Sequence, residues 1–200
     1  MVDGRRITGA ATLEVAVMTY AGAVNKDIVA RLQGLRQNAV GLSGADLDAV
    51  RSVKRPVREI DYGLVGDVVD VNAEGLNGLV QLGVVSVMCP ITHDGAGQLL
   101  NTNADTIAAR VAAAMSAYFK VKLHYCFEFD GVLEDVSDPS RTVPQIRVDE
   151  VSELRISGKI HAGMLPKLDN AAYAKTHGVS EVSICGVNNL ASQTGATWIR

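Results

Sequence analysis

Aromatic residues are scarce in this 200-residue sequence, at 4 % of the chain, so Val, Ala, Leu and Ile must build the core. That mixture suits a helix-covered parallel sheet better than an all-β sandwich. Cysteine is equally thin and odd in number: Cys89, Cys126 and Cys185 stand far apart, each in a short apolar run. This excludes a disulfide framework or a Cys-rich zinc site and reads as reduced, buried, strand-borne thiols of the cytoplasm. No apolar run approaches the ~20 residues of a membrane span, and Met1-Val2-Asp3-Gly4-Arg5-Arg6 has no apolar signal-peptide core. Charge of one sign is missing too. With 19 Lys and Arg against 22 Asp and Glu, nothing argues for a nucleic-acid or anionic-membrane partner. Also absent are a Gly-x-x-x-x-Gly-Lys-Ser/Thr loop, a Gly-x-Gly-x-x-Gly turn, His-Glu-x-x-His and a Gly-x-Ser-x-Gly elbow.

What remains is a chain with 48 % hydrophobic and 20 % charged residues, the balance of a single globular domain over residues 1–200. Helical spacing of apolar residues predicts a long helix over 11–36, which Gly22 bends. A buried strand over 38–43 and a hairpin over 50–71 follow. A helix over 73–81 stops at Gly83, and residues 84–91 are the most strand-like run. A Gly-rich loop at 93–97 then leads to a helix opened by Asn101-Thr102-Asn103. A strand at 121–127, a turn-rich stretch over 130–144 and a short helix at 149–156 come next. The chain closes with a helix from Met164 to Gly178 and strands at 181–185 and 196–200. Strand–helix–strand repetition with short loops predicts an α/β layered sheet, mostly parallel, with the 50–71 hairpin as an antiparallel addition.

In open α/β sheets, ligands bind beyond the carboxyl ends of strands, where loops run into helix starts. Three clusters fall at such places. Asn101, Asn103 and Asp105 put two amides and a carboxylate at one helix start, fit for an amino-acid-like ligand; the competing reading is a capped helix with solvated neighbours. Gly163-Met164-Leu165-Pro166-Lys167 places a lysine in a first turn beside free N–H groups, suited to phosphate, or else a surface lysine on an amphipathic helix. Gly4-Arg5-Arg6-Ile7-Thr8 offers an arginine that could clamp a carboxylate, or a solvated basic turn. His93, His124, His161 and His177 are scattered singly, with His93 and His161 in loops near these clusters. Lacking a base or an activated nucleophile, the chemistry left is one that needs only positioning and charge neutralisation.

In this order, the clusters resemble the amino-acid kinase family, most closely its members that act on N-acylated glutamate in arginine biosynthesis. The resemblance runs through Gly4–Thr8, Ala21-Gly22-Ala23-Val24-Asn25-Lys26, Gly41-Leu42-Ser43-Gly44-Ala45-Asp46 and Gly63-Leu64-Val65-Gly66-Asp67-Val68. It continues through Asn101–Asp105, Gly131-Val132-Leu133, Gly163–Lys167 and Gly195-Ala196-Thr197-Trp198-Ile199. It spans essentially the whole chain, and the ordered N-x-N-A-D and G-M-x-x-K pair is its most specific part.

The resemblance implies a three-layer α/β/α sandwich, homodimerised through the 11–36 helix. It implies transfer of the γ-phosphoryl of ATP, carried with Mg2+, to the side-chain carboxylate of N-acetyl-L-glutamate or another N-acylglutamate. Lys167 would sit on the transferring phosphoryl group and Asp105 would orient it. Arg6 would clamp the substrate α-carboxylate, with Asn101 and Asn103 at the amino-acid end. Glu128, Gly131, Gly163 and Met164 would shape the nucleotide pocket. No protein-held metal is implied. The Arg6 cluster favours a substrate with a free α-carboxylate over carbamate or a nucleotide. Two family motifs, Lys-x-Gly-Gly on an opening strand and a His-Gly-Gly-Gly loop, do not occur in the sequence. The expectation is therefore a partial domain that lacks its N-terminal strand and phosphate loop. The rival expectation is a non-catalytic, ligand-binding or dimerising remnant.

Overall fold

The computed structural model describes residues 7–135, 138, 141–157 and 164–200. Its contacts divide the chain into two compact units, one ending at Ile107 and the other running Ala108–Arg200.

The first unit opens with α1 (Ala10–Ala16), which continues without a break through a wider π-helical stretch, Val17–Val24, into α2 (Asn25–Gly34). The expected long helix is present, and Gly22 lies inside its π-helical stretch. Asn25, only 3 % exposed, docks the helix: its Nδ2 donates to the Val87 carbonyl at 2.8 Å. The strand β1 (Ala39–Leu42) pairs in parallel with β4 (Val85–Met88), and α2 packs on both. The hairpin read from the sequence is β2 (Val50–Lys54) with β3 (Gly66–Val71), antiparallel. The helix α3 (Ala73–Gln81) is capped by Asn72, whose Oδ1 accepts from the Gly75 N–H at 2.9 Å.

Two expectations change here. The apolar run over 84–91 is two strands, β4 and β5 (Ile91–His93), in different sheets. Pro90 separates them, having no N–H to lend to a ladder. The Gly-rich segment after β5 is the turn of a second hairpin, β5 with β6 (Leu99–Asn101), and only β6 leads into the next helix. Asp94 closes that turn, its Oδ1 accepting from the N–H groups of Ala96 at 2.7 Å and Gln98 at 3.0 Å. Three-residue strands are too short to display alternation, so the hairpin is invisible to periodicity. The sheet order is β3-β2-β5-β6, with β2 and β5 parallel.

The helix α4 (Ala104–Met115) begins in the first unit. In the second, β7 (Lys122–Phe127) pairs in parallel with β9 (Glu181–Gly186), and β10 (Thr197–Ile199) lies between β9 and β8 (Gln145–Ile146). The β9–β10 pairing is antiparallel and β10–β8 parallel. Parallel pairings are therefore in the majority among the described strands, although β5–β6 and β9–β10 add antiparallel ones beyond the 50–71 hairpin. The helices α5 (Val151–Ser157) and α6 (Leu165–Thr176) follow the sequence reading closely, with Gly178 beyond α6 at φ +95. Leu168, Ala171 and Ala174 on α6 are fully buried against Val182 and Ile184 of β9, together with Ile146 and Ile199.

All three thiols are free, as expected, but Cys126 is exposed and Cys89 lies between β4 and β5. Alternation along β7 turns Cys126 outward while Tyr125 turns in. Burial pushes the Cys89 and Cys185 thiols up from their ordinary value, so both stay protonated.

The two N–H groups on Asp94 hold its carboxyl below the usual aspartate range. A depressed folded pKa stabilises above the unfolded value and fades as pH falls through the folded one. The stability gap between the parent chain and Asp94→Ala, read by urea unfolding, should thus be full at pH 7 and shrink progressively below about pH 4. A gap that stays constant down to pH 2.5 would contradict this account of the turn.

Candidate active site

The first cluster is assembled where β6 runs into α4. Asn101 is the last residue of β6, half-buried, with its backbone N–H on the Leu64 carbonyl at 2.9 Å. Its side-chain Nδ2 donates to Thr8 Oγ1 at 3.0 Å. Next to it, Thr102 is buried, and its Oγ1 lies 2.7 Å from Thr92 Oγ1 on β5 and 3.4 Å from the Gly66 carbonyl. A methyl group on Gly66 would come within 2.5 Å of Thr102 Oγ1, so this crossing admits no side chain. These contacts set the level at which β6 stops and α4 starts.

Asn103 is the cap of α4. Its Oδ1 accepts from the Thr106 N–H at 3.0 Å and from Thr106 Oγ1 at 3.3 Å, leaving its Nδ2 toward solvent. The capping alternative weighed from the sequence is thus realised, and it leaves a donor on the same side chain. Asp105 follows, half-buried, in the first turn, where the helix dipole favours a carboxylate. Asn101, Asn103 and Asp105 are therefore brought to one strand-to-helix junction.

A cavity of about 430 Å³ adjoins the junction, walled by Val15 and Ala16 of α1, Pro90, Asn101 and Thr102. His93 is the last residue of β5, and its Nε2 lies 2.7 Å from Asp48 Oδ1. Arg51 pairs with the same carboxylate and holds it below the ordinary aspartate range. His93 thus serves the hairpin rather than a loop beside a ligand.

In the second unit, the elements that meet are the carboxyl end of β7 and the start of α6. Lys167 lies in the first turn of α6, and its Nζ stands 5.1 Å from the ring centroid of Tyr125, a buried residue of β7. Met164, 8 % exposed, is the N-cap position of the same helix, and Pro166 is tolerated in its first turn. Glu128 is exposed just past β7. Gly131 is buried, and a methyl group there would meet the Gly195 carbonyl at 2.5 Å and Thr197 Oγ1 at 2.7 Å. That glycine lets the turn after β7 lie against the entry to β10, and the Val132 N–H donates to Thr197 Oγ1 at 2.8 Å. Asp130 beside it accepts from Asn189 Nδ2 at 2.7 Å, past the carboxyl end of β9.

Arg6, Gly163 and His161 lie outside the described residues. Sequence reasoning passed over Thr8, Tyr125 and Asn189. Thr8 closes the Gly4–Thr8 cluster and could have been weighed with Arg6. Tyr125 reads as ordinary strand, and nothing in the pattern points to Asn189.

Comparison with known proteins gives the family. Residues 2–186 match the model of the amino acid kinase family. The acetylglutamate kinase of Phocaeicola vulgatus is 54 % identical over 184 residues, 92 % of this chain and 72 % of that protein. The acetylglutamate kinase of Bacteroides thetaiotaomicron is 55 % identical over the same shares of each chain. Among solved structures, smu.665 from Streptococcus mutans superposes with a TM-score of 0.81 at 25 % identity, covering 92 % of this chain and 72 % of that one. The N-acetylglutamate synthase of Neisseria gonorrhoeae, complexed with coenzyme A and N-acetyl-glutamate, gives a TM-score of 0.81 at 20 % identity, covering 100 % of this chain and 46 % of that one, which speaks to fold alone. The α/β fold expected from the sequence is the one these structures share. With its family model matched almost throughout and relatives identical at more than half of the aligned positions, the chain belongs to the amino acid kinase family.

Proposed function

We propose that this chain is an acetylglutamate kinase, transferring the γ-phosphoryl of ATP to the side-chain carboxylate of N-acetyl-L-glutamate to give an acyl phosphate. The observation that carries this reading is the 54 % identity to a protein of that name over 92 % of the chain. The two specific motifs support it: Asn101–Asp105 spans the junction of β6 and α4, and Met164 and Lys167 lie at the start of α6.

The chemistry fits what the residues offer. A glutamate side-chain carboxylate, with a pKa of about 4.3, is an ionised nucleophile at neutral pH and needs no general base. The barrier is lowered by aligning two anions and neutralising the moving charge. Lys167 supplies a cation for the transferring phosphoryl group, and Asp105 is the orienting carboxylate. Arg6 takes the substrate α-carboxylate, with Asn101 and the free Nδ2 of Asn103 at its amino-acid end. Glu128, Gly131, Gly163 and Met164 shape the adenine nucleotide site, and Mg2+ arrives with ATP. The α1-to-α2 helix, with Val15, Met18, Tyr20, Val24 and Ile28 exposed, is the face on which two copies pair. The protein works in the cytoplasm, where ATP is supplied and free thiols persist.

The direct test traps the product as a hydroxamate, with ATP and Mg2+ present and N-acetylglutamate, N-succinylglutamate, glutamate or aspartate as acceptor. Signal with an N-acylglutamate and none with the free amino acids is expected; no signal with any acceptor would sink the reading. Lys167→Ala should lower kcat about 10²–10³-fold, the cost of one lost donor to developing charge.

Asn103 separates its two roles by a pair of variants. Asn103→Ser keeps a capping oxygen and should unfold near the parent Tm, yet raise the KM for N-acetylglutamate. Asn103→Ala should also lose about 1 kcal/mol of stability. A serine variant with unchanged KM would leave Asn103 as a cap only.

A further inference from the structure

We propose that Thr8 is a positioning residue for the acceptor substrate, its hydroxyl holding the Asn101 amide in the one orientation that binds; this rests on the kinase reading above. Thr8 is fully buried, although its hydroxyl is polar. Its backbone is locked to the 62–64 segment, with its N–H on the Tyr62 carbonyl at 3.0 Å and its carbonyl accepting from the Leu64 N–H at 2.7 Å. Asn101 is fixed to that same segment through the Leu64 carbonyl, and Val65 bridges it in parallel. The two residues are 93 positions apart in sequence, yet their backbones are referenced to one short strand-like stretch.

That arrangement makes the 3.0 Å hydrogen bond from Asn101 Nδ2 to Thr8 Oγ1 a consequence of the frame rather than of side-chain chance. A carboxamide can turn about its last torsion at little steric cost, exchanging its donor and acceptor edges. With Nδ2 engaged on a buried, immobile hydroxyl, the oxygen edge is the one left for a ligand. Asn101 is itself a wall of the 430 Å³ cavity. A ligand that brings an N–H donor there meets an acceptor already oriented, and the ordering cost falls on folding, not on binding.

The same logic gives Gly63 its place. It stands at φ +71, and a methyl group there would meet the Thr8 carbonyl at 2.3 Å, so the 62–64 segment can approach Thr8 this closely only as glycine. The frame that holds the hydroxyl is thereby independent of the hydroxyl itself. Removing Oγ1 should leave the backbone where it is and free the amide.

The test uses the full chain and three proteins: the parent, Thr8→Val, which keeps the shape and removes the hydroxyl, and Thr8→Ser, which keeps the hydroxyl and removes the methyl. Calorimetric titration with N-acetylglutamate should show Kd raised about fivefold in the valine variant and within about twofold of the parent in the serine variant. Steady-state hydroxamate assays should show the same split, with the KM for N-acetylglutamate raised, kcat little changed and the KM for ATP unmoved. Valine binding as tightly as the parent overturns the positioning role while leaving the kinase reading intact. Serine failing as badly as valine, or the KM for ATP rising in parallel, reduces Thr8 to packing and overturns it too. If the parent neither binds N-acetylglutamate nor forms acyl phosphate, the kinase reading falls and the proposal falls with it.

Discussion

The first unit depends on one close crossing of backbone and hydroxyl. Thr92 and Thr102 share a hydrogen bond in a place with no access to water, and Gly66 passes so near them that no side chain fits. A buried hydroxyl pair is tolerable only when each partner satisfies the other. The two hairpins, β2–β3 and β5–β6, are held at a set height by this contact. The height in turn decides where β6 ends, and Asn101, Asn103 and Asp105 follow within four residues. The polar crossing is thus upstream of Asn101, Asn103 and Asp105.

The second unit solves an analogous problem with different residues. A glycine, Gly131, lets a turn lie against Gly195 and Thr197, and the Thr197 hydroxyl accepts from Val132 while donating to the Val143 carbonyl at 2.6 Å. Around it the core is aliphatic and alanine-rich, as a chain poor in aromatics requires. Small residues on α6 let that helix sit close to β9, and Lys167 Nζ stands over the Tyr125 ring. The face of the ring attracts the ammonium and holds it beside β7.

Much of this is legible in the sequence. The α3 helix, the β2–β3 hairpin, the β7 strand and the α6 helix follow from periodicity, cap residues and stop glycines, because each is long enough to carry a pattern. The β5–β6 hairpin was not legible, since three-residue strands carry no alternation and Gly-rich turns serve hairpins and helix entries alike. Nor was the exposure of Cys126, which depends on which face of β7 the unit covers. Of the candidate site, the clusters at Asn101–Asp105 and Gly163–Lys167 stood out because their residue types suit helix starts. Thr8 and Tyr125 did not, because their roles arise from partners about ninety and forty residues away.

The π-helical stretch at Val17–Val24 carries a consequence for how this chain can change over time. A helix wound there at more residues per turn turns less at each residue, and that sets the phase at which Asn25 meets the Val87 carbonyl from a buried position. Deleting one residue would let the stretch relax to ordinary α geometry, and the rotation regained by rewinding offsets most of the ~100° that the lost residue removes. The stretch is therefore the one part of this long helix where losing a residue leaves α2 close to its present phase, a tolerance that α1 and α2 themselves do not have.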